Sequence, residues 1–426
     1  MRQSVLNMPG EAKDMKSAIV LGAGMIGVAT ALHLQQRGWS IVLLDRKEPG
    51  RETSYVNAGI IQSEAVRPYE MSHDWREIAN IALGRCNKVR YHLAALPRHL
   101  GPLLGYWWHS FPVRHARASE AYAQIIGCAA REHEVFIRQS NARHLIRRDG
   151  FRFLYRQQSA FEEAVAAAES LRQAYGVKFS PMSPSDLKKA EPALADAGVG
   201  ALHWLEPWAA LDPGALVSAY ADLFMRLGGR IVRGDAQSLA KTGSGWSVIA
   251  DDGRMEAEAA VVALGPWSPD LLKRFGYWFP MVRKRGYYRH YAGGSRLDVP
   301  LCDPANGYVL APMAKGARIT TGAELAAPGA KPDFSQLAHA EQAAGKLIML
   351  GRPLEPEPGY GTRPCMPDML PVVGAAPRHR GLWLHFGHGH QGFTLGPATG
   401  RVIAELMNNE VSMTNPLPYR PERYCI

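Results

Sequence analysis

Glycines at 22, 24 and 27 and an aspartate at 45 have the spacing of a dinucleotide-binding turn. The run is Gly22-Ala23-Gly24-Met25-Ile26-Gly27, and the acid follows 18 residues after the last glycine. Gly22 permits a tight turn, Gly24 lets the backbone approach a pyrophosphate, and Gly27 lets helix and strand pack closely. The first N–H groups of the following helix have no partner within it and suit phosphate oxygens. An aspartate at 45 suits ribose hydroxyls and would repel a 2′-phosphate.

Three further segments point to a flavin rather than a nicotinamide. In Thr53-Ser54-Tyr55-Val56-Asn57-Ala58-Gly59, small and hydroxylated residues let a backbone lie against a flat ring system. Val261 to Ser268 reads as a buried strand, Val261-Val262-Ala263-Leu264, ending in a tight turn at Gly265. His385 to Gly400 reads as a strand end, a glycine-rich turn and a helix start. Such a turn offers N–H groups where negative charge develops on reduction, and the helix dipole favours the same anion. His385, His388 and His390 raise the question of a metal. Their spacings of three and two do not match a usual zinc arrangement, so no metal site is assigned.

These segments need elements to hold them. Ala18 to Leu21 reads as a strand, Val28 to Arg37 as a helix closed by Gly38, and Ile41 to Leu44 as a second strand, which completes a βαβ unit. Glu70 to Arg148 reads as mostly helical. Within it, Tyr106, Trp107, Trp108 and Phe111, followed by Arg114, His115 and Arg117, suit either a membrane-facing patch or a helix face packed into the core; packing is the preferred reading. Helices are expected over Phe161–Tyr175, Pro213–Leu227 and Gln336–Leu350, and from the glycine-rich turn to about Met407. Strands are expected at Arg230–Val232, Trp246–Ala250, Ala259–Leu264, Tyr308–Pro312, Ala317–Gly322 and Leu382–Phe386, with Asp252-Gly253 as a hairpin turn.

Composition sets the outer limits. The chain has 426 residues, of which 46% are hydrophobic, as expected of a folded globular protein. No apolar run is long enough to span a bilayer, and the polar start, Met1 to Lys16, lacks the apolar centre of a signal peptide. The five cysteines are scattered and form no C-x-x-C, which fits a reducing cytosol. A net charge of +10 without a basic run or a nucleic-acid module gives no case for nucleic-acid binding.

The order of these segments resembles the D-amino acid oxidase superfamily of FAD proteins, most closely its bacterial D-amino acid dehydrogenases of the small or catalytic subunit type. The likeness runs from Ser17 to about Tyr424. It is strongest in Gly361-Thr362-Arg363-Pro364-Cys365-Met366-Pro367-Asp368 paired with Gly387-His388-Gly389, and in the closing Pro418-Tyr419-Arg420-Pro421. The resemblance implies an α/β fold. A doubly wound FAD-binding domain (15–70, 150–165, 205–275 and 355–426) would interleave with an antiparallel-sheet α+β substrate domain (71–149, 166–204 and 276–354).

Carried over, the ADP half of FAD falls on Gly22, Ala23, Gly24, Met25, Ile26, Gly27, Asp45 and Arg46, with Ala236 at the adenine. The flavin falls near Thr53, Ser54, Asn57, Ala58, Gly59, Ala263 and Gly265, and on Gly387, His388, Gly389, His390, Gln391, Gly392, Phe393 and Thr394. Arg363 matches the arginine that holds the substrate carboxylate, and Tyr308 and Tyr288 are candidate second donors. Cys365 is offset from the position that tethers flavin in monomeric sarcosine oxidases, so noncovalent FAD is expected.

The implied reaction is oxidative deamination of a small, D-configured amino acid. A hydride passes from the α-carbon to flavin N5, and the products are a 2-oxo acid and ammonia. His390-Gln391 replaces a lysine-bearing stretch of sarcosine-type oxidases, which favours a quinone or other acceptor over oxygen. A cytoplasmic enzyme, with peripheral contact at the inner face of the inner membrane as an option, is the expected setting. The alternatives are an enzyme for glycine or a secondary amine (sarcosine, proline, hydroxyproline) and an inactive FAD-binding subunit of an electron-transfer complex. A nicotinamide dehydrogenase would leave the Asn57 and His388 segments unexplained.

Overall fold

Strands buried on both faces have no polar side to show, and the apolar runs of this chain assemble accordingly. The computed structural model describes residues 16–82, 87, 89–92, 95–327 and 329–424. In it, Arg230–Lys241, Ser40–Asp45, Ser17–Leu21, Ala259–Val262 and Leu382–Phe386 lie side by side and parallel. Trp246–Ala250 and Gly253–Ala257, joined at the expected hairpin, extend one edge antiparallel, and Val372–Ala375 extends the other, giving eight strands. The helices Met25–Gln35, Pro112–Gln139, Pro213–Arg226 and Gly392–Met407 supply one continuous apolar core on one face. Leu271, Tyr277 and Phe279 belong to the core on the other. The first helix starts at Met25, three residues before the sequence reading, because its opening turn is built from the glycine motif itself.

Among the described residues the second sheet has eleven strands and is mostly antiparallel. Its organiser is Val282–Gly293, which pairs with Gly316–Thr321, Ala323–Leu325, Gly351–Pro353 and Gly359–Cys365. Sequence reading did not anticipate this strand, because Arg283, Lys284 and Arg285 break any apolar alternation. The expected strand pair appears as Tyr308–Met313 against Gly316–Thr321. Two segments differ from the expected division of the chain. Phe151–Tyr155 pairs with Gly200–Trp204 and Leu301–Asp303, so it joins this second sheet rather than the first, and Gly359–Cys365 does the same. The boundary between the two units is better drawn with both strands on the covering side. A small third sheet, Ile60–Ile61, Trp208–Ala210 and Ile146–Arg147, completes the strand set.

The region expected to be helical contains Trp75–Ala82, Leu96–His109 and Pro112–Gln139, with a short strand, Val89–Tyr91, between the first two. Its aromatic run divides. Tyr106 is buried at 5%, but Trp107 and Trp108 are 37% and 50% exposed, in line with exposed Leu100 and Leu104. Positions 100, 104, 107 and 108 share one helical face, so core packing holds for Tyr106 and fails for the two tryptophans. Among the described residues no helix is long and apolar enough to cross a membrane. Cys128, Cys302 and Cys365 are free thiols. Cys86, Cys425 and the polar start up to residue 15 lie outside the described residues.

Candidate active site

The strand Ser17–Leu21 delivers the chain into Gly22, at φ +105°, and a Cβ on Gly27 would lie 1.7 Å from the Gly22 carbonyl oxygen, so this close contact of helix and turn requires glycine. One Asp45 carboxylate oxygen accepts the Ala23 N–H at 2.6 Å and the other accepts the Lys47 N–H at 3.0 Å. Asp45 therefore also closes the turn, a task the sequence did not disclose. Burial pushes its pKa up, and the backbone N–H bonds oppose this. Ser54 accepts the Met25 N–H at 3.0 Å, which ties its segment to the glycine turn. Arg46 stacks on Trp267, 4.5 Å from the ring centre.

These residues open onto a cavity of about 1080 Å³ lined by both large sheets. Gly22, Gly24, Met25, Ile26, Asp45, Arg46, Thr53, Ser54, Asn57, Ala58, Ala236, Ala263 and Gly265 line it, as do His388, Gly389, His390, Gly392 and Phe393. Six expected contacts do not reach its wall. Ala23 is tied to Asp45, and Gly27 and Gly387 are packed against neighbours. The Gly59 N–H bonds the Asn57 side chain, and Gln391 and Thr394 are buried in a hydrogen-bonded group with Gln62, which itself lines the cavity. The histidine rings serve packing: His388 meets the Thr399 hydroxyl at 3.0 Å and His385 meets Thr30 at 2.7 Å. Burial lowers the His388 pKa to about 3, so the ring is neutral.

The far end of the cavity comes from the second sheet. Arg363 donates through Nη1 to the Gly322 carbonyl at 2.7 Å and through Nη2 to the Thr321 carbonyl at 3.0 Å. Its guanidinium lies across Gly286, where a Cβ would come within 2.5 Å of Nη1. Two of five N–H donors are thus used, and the group still faces the cavity. Tyr308 also lines it; the ring is buried and its hydroxyl has no hydrogen-bond partner among the described residues. Tyr288 does not line the cavity: it packs on Tyr55 and His290 beneath Arg318. Tyr288 thus serves a separate aromatic cluster, two residues beyond Gly286 along the strand, and does not act as a second donor at this cavity. Sequence reasoning missed Lys284, Tyr106, Tyr69 and Gly286, which also line this end. Two of them, Lys284 and Gly286, lie in the strand that the sequence did not reveal, and a lone lysine or tyrosine carries no motif.

The model of the family described as FAD dependent oxidoreductase matches residues 17–406. The chain belongs to this family. Among its relatives is a D-amino-acid oxidase of Bradyrhizobium diazoefficiens, 27% identical over 95% of this chain and 98% of that one. Another is a D-amino acid dehydrogenase of Chromohalobacter salexigens, 26% identical over 96% and 99%. The glycine oxidase of Geobacillus kaustophilus has a similar fold, with a TM-score of 0.69 and 19% identity over 96% of this chain and 99% of that one. This FAD-dependent oxidoreductase is therefore an enzyme, and its own residues fit the cofactor. The glycine turn admits backbone approach, the first helix lacks a side-chain cap at Gly24, and a carboxylate stands at the strand end.

Proposed function

We propose that the enzyme oxidises a small D-amino acid at its α-carbon, releasing a 2-oxo acid and ammonia. The observation that carries this reading is Arg363, a cation with free donors at the cavity end opposite the phosphate turn, held by two backbone carbonyls. A guanidinium so fixed can grip a carboxylate with two parallel bonds and orient the α C–H, which is a positioning contribution to rate. Bound FAD would supply the oxidant, accepting the α-hydrogen as hydride. Tyr308 lines the same cavity, close to the Asp303 carboxylate, and is the remaining candidate for a second donor. Leu96, Leu103, Ile78 and Ile81 form an apolar wall that limits water. The curated relatives named for D-amino acids support the choice of hand.

His390-Gln391 lacks a lysine, but Lys284 reaches the same cavity from another strand, so the sequence argument against oxygen loses its force. A quinone acceptor is now supported by the exposed stripe Leu100, Leu104, Trp107 and Trp108, with Arg114 stacked 3.9 Å over Trp108. This face suits peripheral contact with the cytoplasmic side of a membrane.

The test is anaerobic mixing of the yellow holoprotein with D-amino acids, L-amino acids, glycine, sarcosine and proline. Bleaching by D-amino acids ahead of their enantiomers is expected. Bleaching by none of them overturns the reading, and a preference for sarcosine or proline moves the enzyme to the secondary-amine class.

A further inference from the structure

We propose that Lys284 and Arg363 form a paired cationic end to the cavity, and that the preferred substrate is therefore an amino acid with a second carboxylate. The inference rests on the reading of Arg363 as the anchor of the α-carboxylate, and it names the substrate class more narrowly.

Lys284 and Arg363 are directly opposed across the antiparallel pair Val282–Gly293 and Gly359–Cys365. Residues opposed in this way project to one face of a sheet, and like charges there repel. The other basic side chains of the strand are neutralised. Arg283 has Asp270 at 2.6 Å, Arg285 has Glu324 at 3.3 Å, and Arg289 has Glu341 at 3.6 Å. Lys284 and Arg363 have no carboxylate partner among the described residues, although both line the cavity. Lys284 instead lies 4.3 Å from the centre of the Tyr106 ring, a contact that orients the ammonium without cancelling its charge.

Glu70, which also lines the cavity, is turned to His115 at 3.6 Å, and the other groups at this end do not supply the missing anion. His390 is a neutral ring, its pKa held well down by burial and by Arg363 and Lys284. The Cys365 thiol is pushed up by burial, against the pull of both cations. Glu64 is tied to the Gln62 amide at 2.6 Å and is pushed up to about 7 by burial. Asp45 and Glu52 are engaged at the nucleotide end, with the Ala23 N–H and with Arg46 and Lys47. Burial disfavours the charge on both Lys284 and Arg363, and Arg363 further weakens the lysine's hold on its proton, so two basic groups without a carboxylate partner among the described residues call for two anionic groups on the ligand. Arg363, with its planar fork, suits the α-carboxylate, and Lys284, a mobile point charge, suits a carboxylate on a short side chain or on the nitrogen substituent.

The experiment compares each acid with its own amide, so that size is constant. Anaerobic flavin reduction is measured for aspartate against asparagine and for glutamate against glutamine, in both enantiomers, with wild type, Lys284→Met and Lys284→Arg. Wild type should favour the acid in kcat/KM, and Lys284→Met should lower the acid-to-amide ratio about 30-fold, the effect of one lost charge-assisted contact. Lys284→Arg should keep the ratio within about threefold, since the charge remains. A second measurement needs no variant: perturbation of the wild-type flavin spectrum by succinate should saturate at much lower concentration than by propionate. A wild-type ratio at or below one, an unchanged ratio in Lys284→Met, or equal binding of succinate and propionate overturns the proposal while leaving amino-acid oxidation in place. Absence of reduction by every amino acid, acid or amide, would instead bring down the reading of Arg363 as well.

Discussion

Arg363 satisfies two carbonyls of the neighbouring strand turn and still presents a cation to the cavity, so its structural and its ligand-binding tasks can be separated by substitution. Arg363→Lys keeps a charge and loses the fork; Arg363→Ala loses both. Both variants should retain FAD and lose at least about a hundredfold in kcat/KM for amino acids, as expected for a charge-assisted bidentate contact. Stopped-flow reduction gives the answer, and wild-type rates in Arg363→Ala would refute the assignment. Asp45 divides differently, because its carboxylate also closes the turn at Ala23. Asp45→Asn keeps an acceptor and should weaken FAD binding by about 1.5–3 kcal/mol with little change in the apoprotein melt. Asp45→Ala strands the Ala23 N–H as well and should lower the apoprotein Tm. Titration of apoprotein with FAD, alongside thermal melts, separates the two effects.

The helices that carry the glycine-rich turn are locked by His133. Its Nδ1 meets the Tyr220 hydroxyl at 3.0 Å, and its Nε2 meets the carbonyls of Phe393 and Thr394 at 3.0 and 3.1 Å. Nε2 must therefore donate, and the ring is neutral. Burial lowers its pKa from 6.5 to about 4, against the pull of the carbonyl bonds. A base whose pKa is depressed by folding stabilises the fold fully above 6.5. That contribution falls as pH drops toward 4, because the unfolded chain takes up a proton that the folded one refuses. The loss from this group should be on the order of 3 kcal/mol, and His33 and His388 act in the same direction. His133→Gln, which keeps a donor, should flatten the decline of unfolding free energy between pH 7.5 and 5. An unchanged slope would show that His133 is not buried neutral. The strand Val282–Gly293 teaches the complementary lesson: its charges hid it from pattern reading, and partners distant in sequence explain why it is nonetheless stable.

As a whole, the molecule places a cavity lined by two sheets against the helix Leu96–His109, whose outer face carries the exposed Leu100, Leu104, Trp107 and Trp108. The holoprotein should be yellow, and acid precipitation should release FAD into solution, as the offset of Cys365 from the tethering position of covalent flavoproteins leads one to expect. Flavin retained in the pellet would contradict noncovalent binding. With a net charge of +10 and the stripe from Leu100 to Trp108, the protein should co-sediment with phosphatidylglycerol vesicles more than with phosphatidylcholine. Replacing Trp107 and Trp108 by alanine should reduce that binding several-fold without loss of FAD; equal sedimentation with both lipids, or no effect of the double variant, would exclude a membrane face there.

The glycine turn, its flanking strands and helix, Asp45 and the Gly387–Gly400 segment were legible because each is a local device: a few consecutive residues determine the backbone path and the groups it offers. Family membership followed from their order along the chain. The covering sheet was not legible, because the charges of its central strand hide the apolar alternation and meet their carboxylates elsewhere in the sequence, and its two joining strands, Phe151–Tyr155 and Gly359–Cys365, were set by pairing partners that no local pattern records. Tyr288 and Tyr308 looked alike in sequence, yet only Tyr308 reaches the cavity. The sequence alone determined that a dinucleotide cofactor is held, and its glycine turn led to the expectation of where the phosphates meet the chain. Only the tertiary structure brought Lys284 opposite Arg363, because side chains from separate strands become neighbours through sheet register, and register is decided by the whole fold.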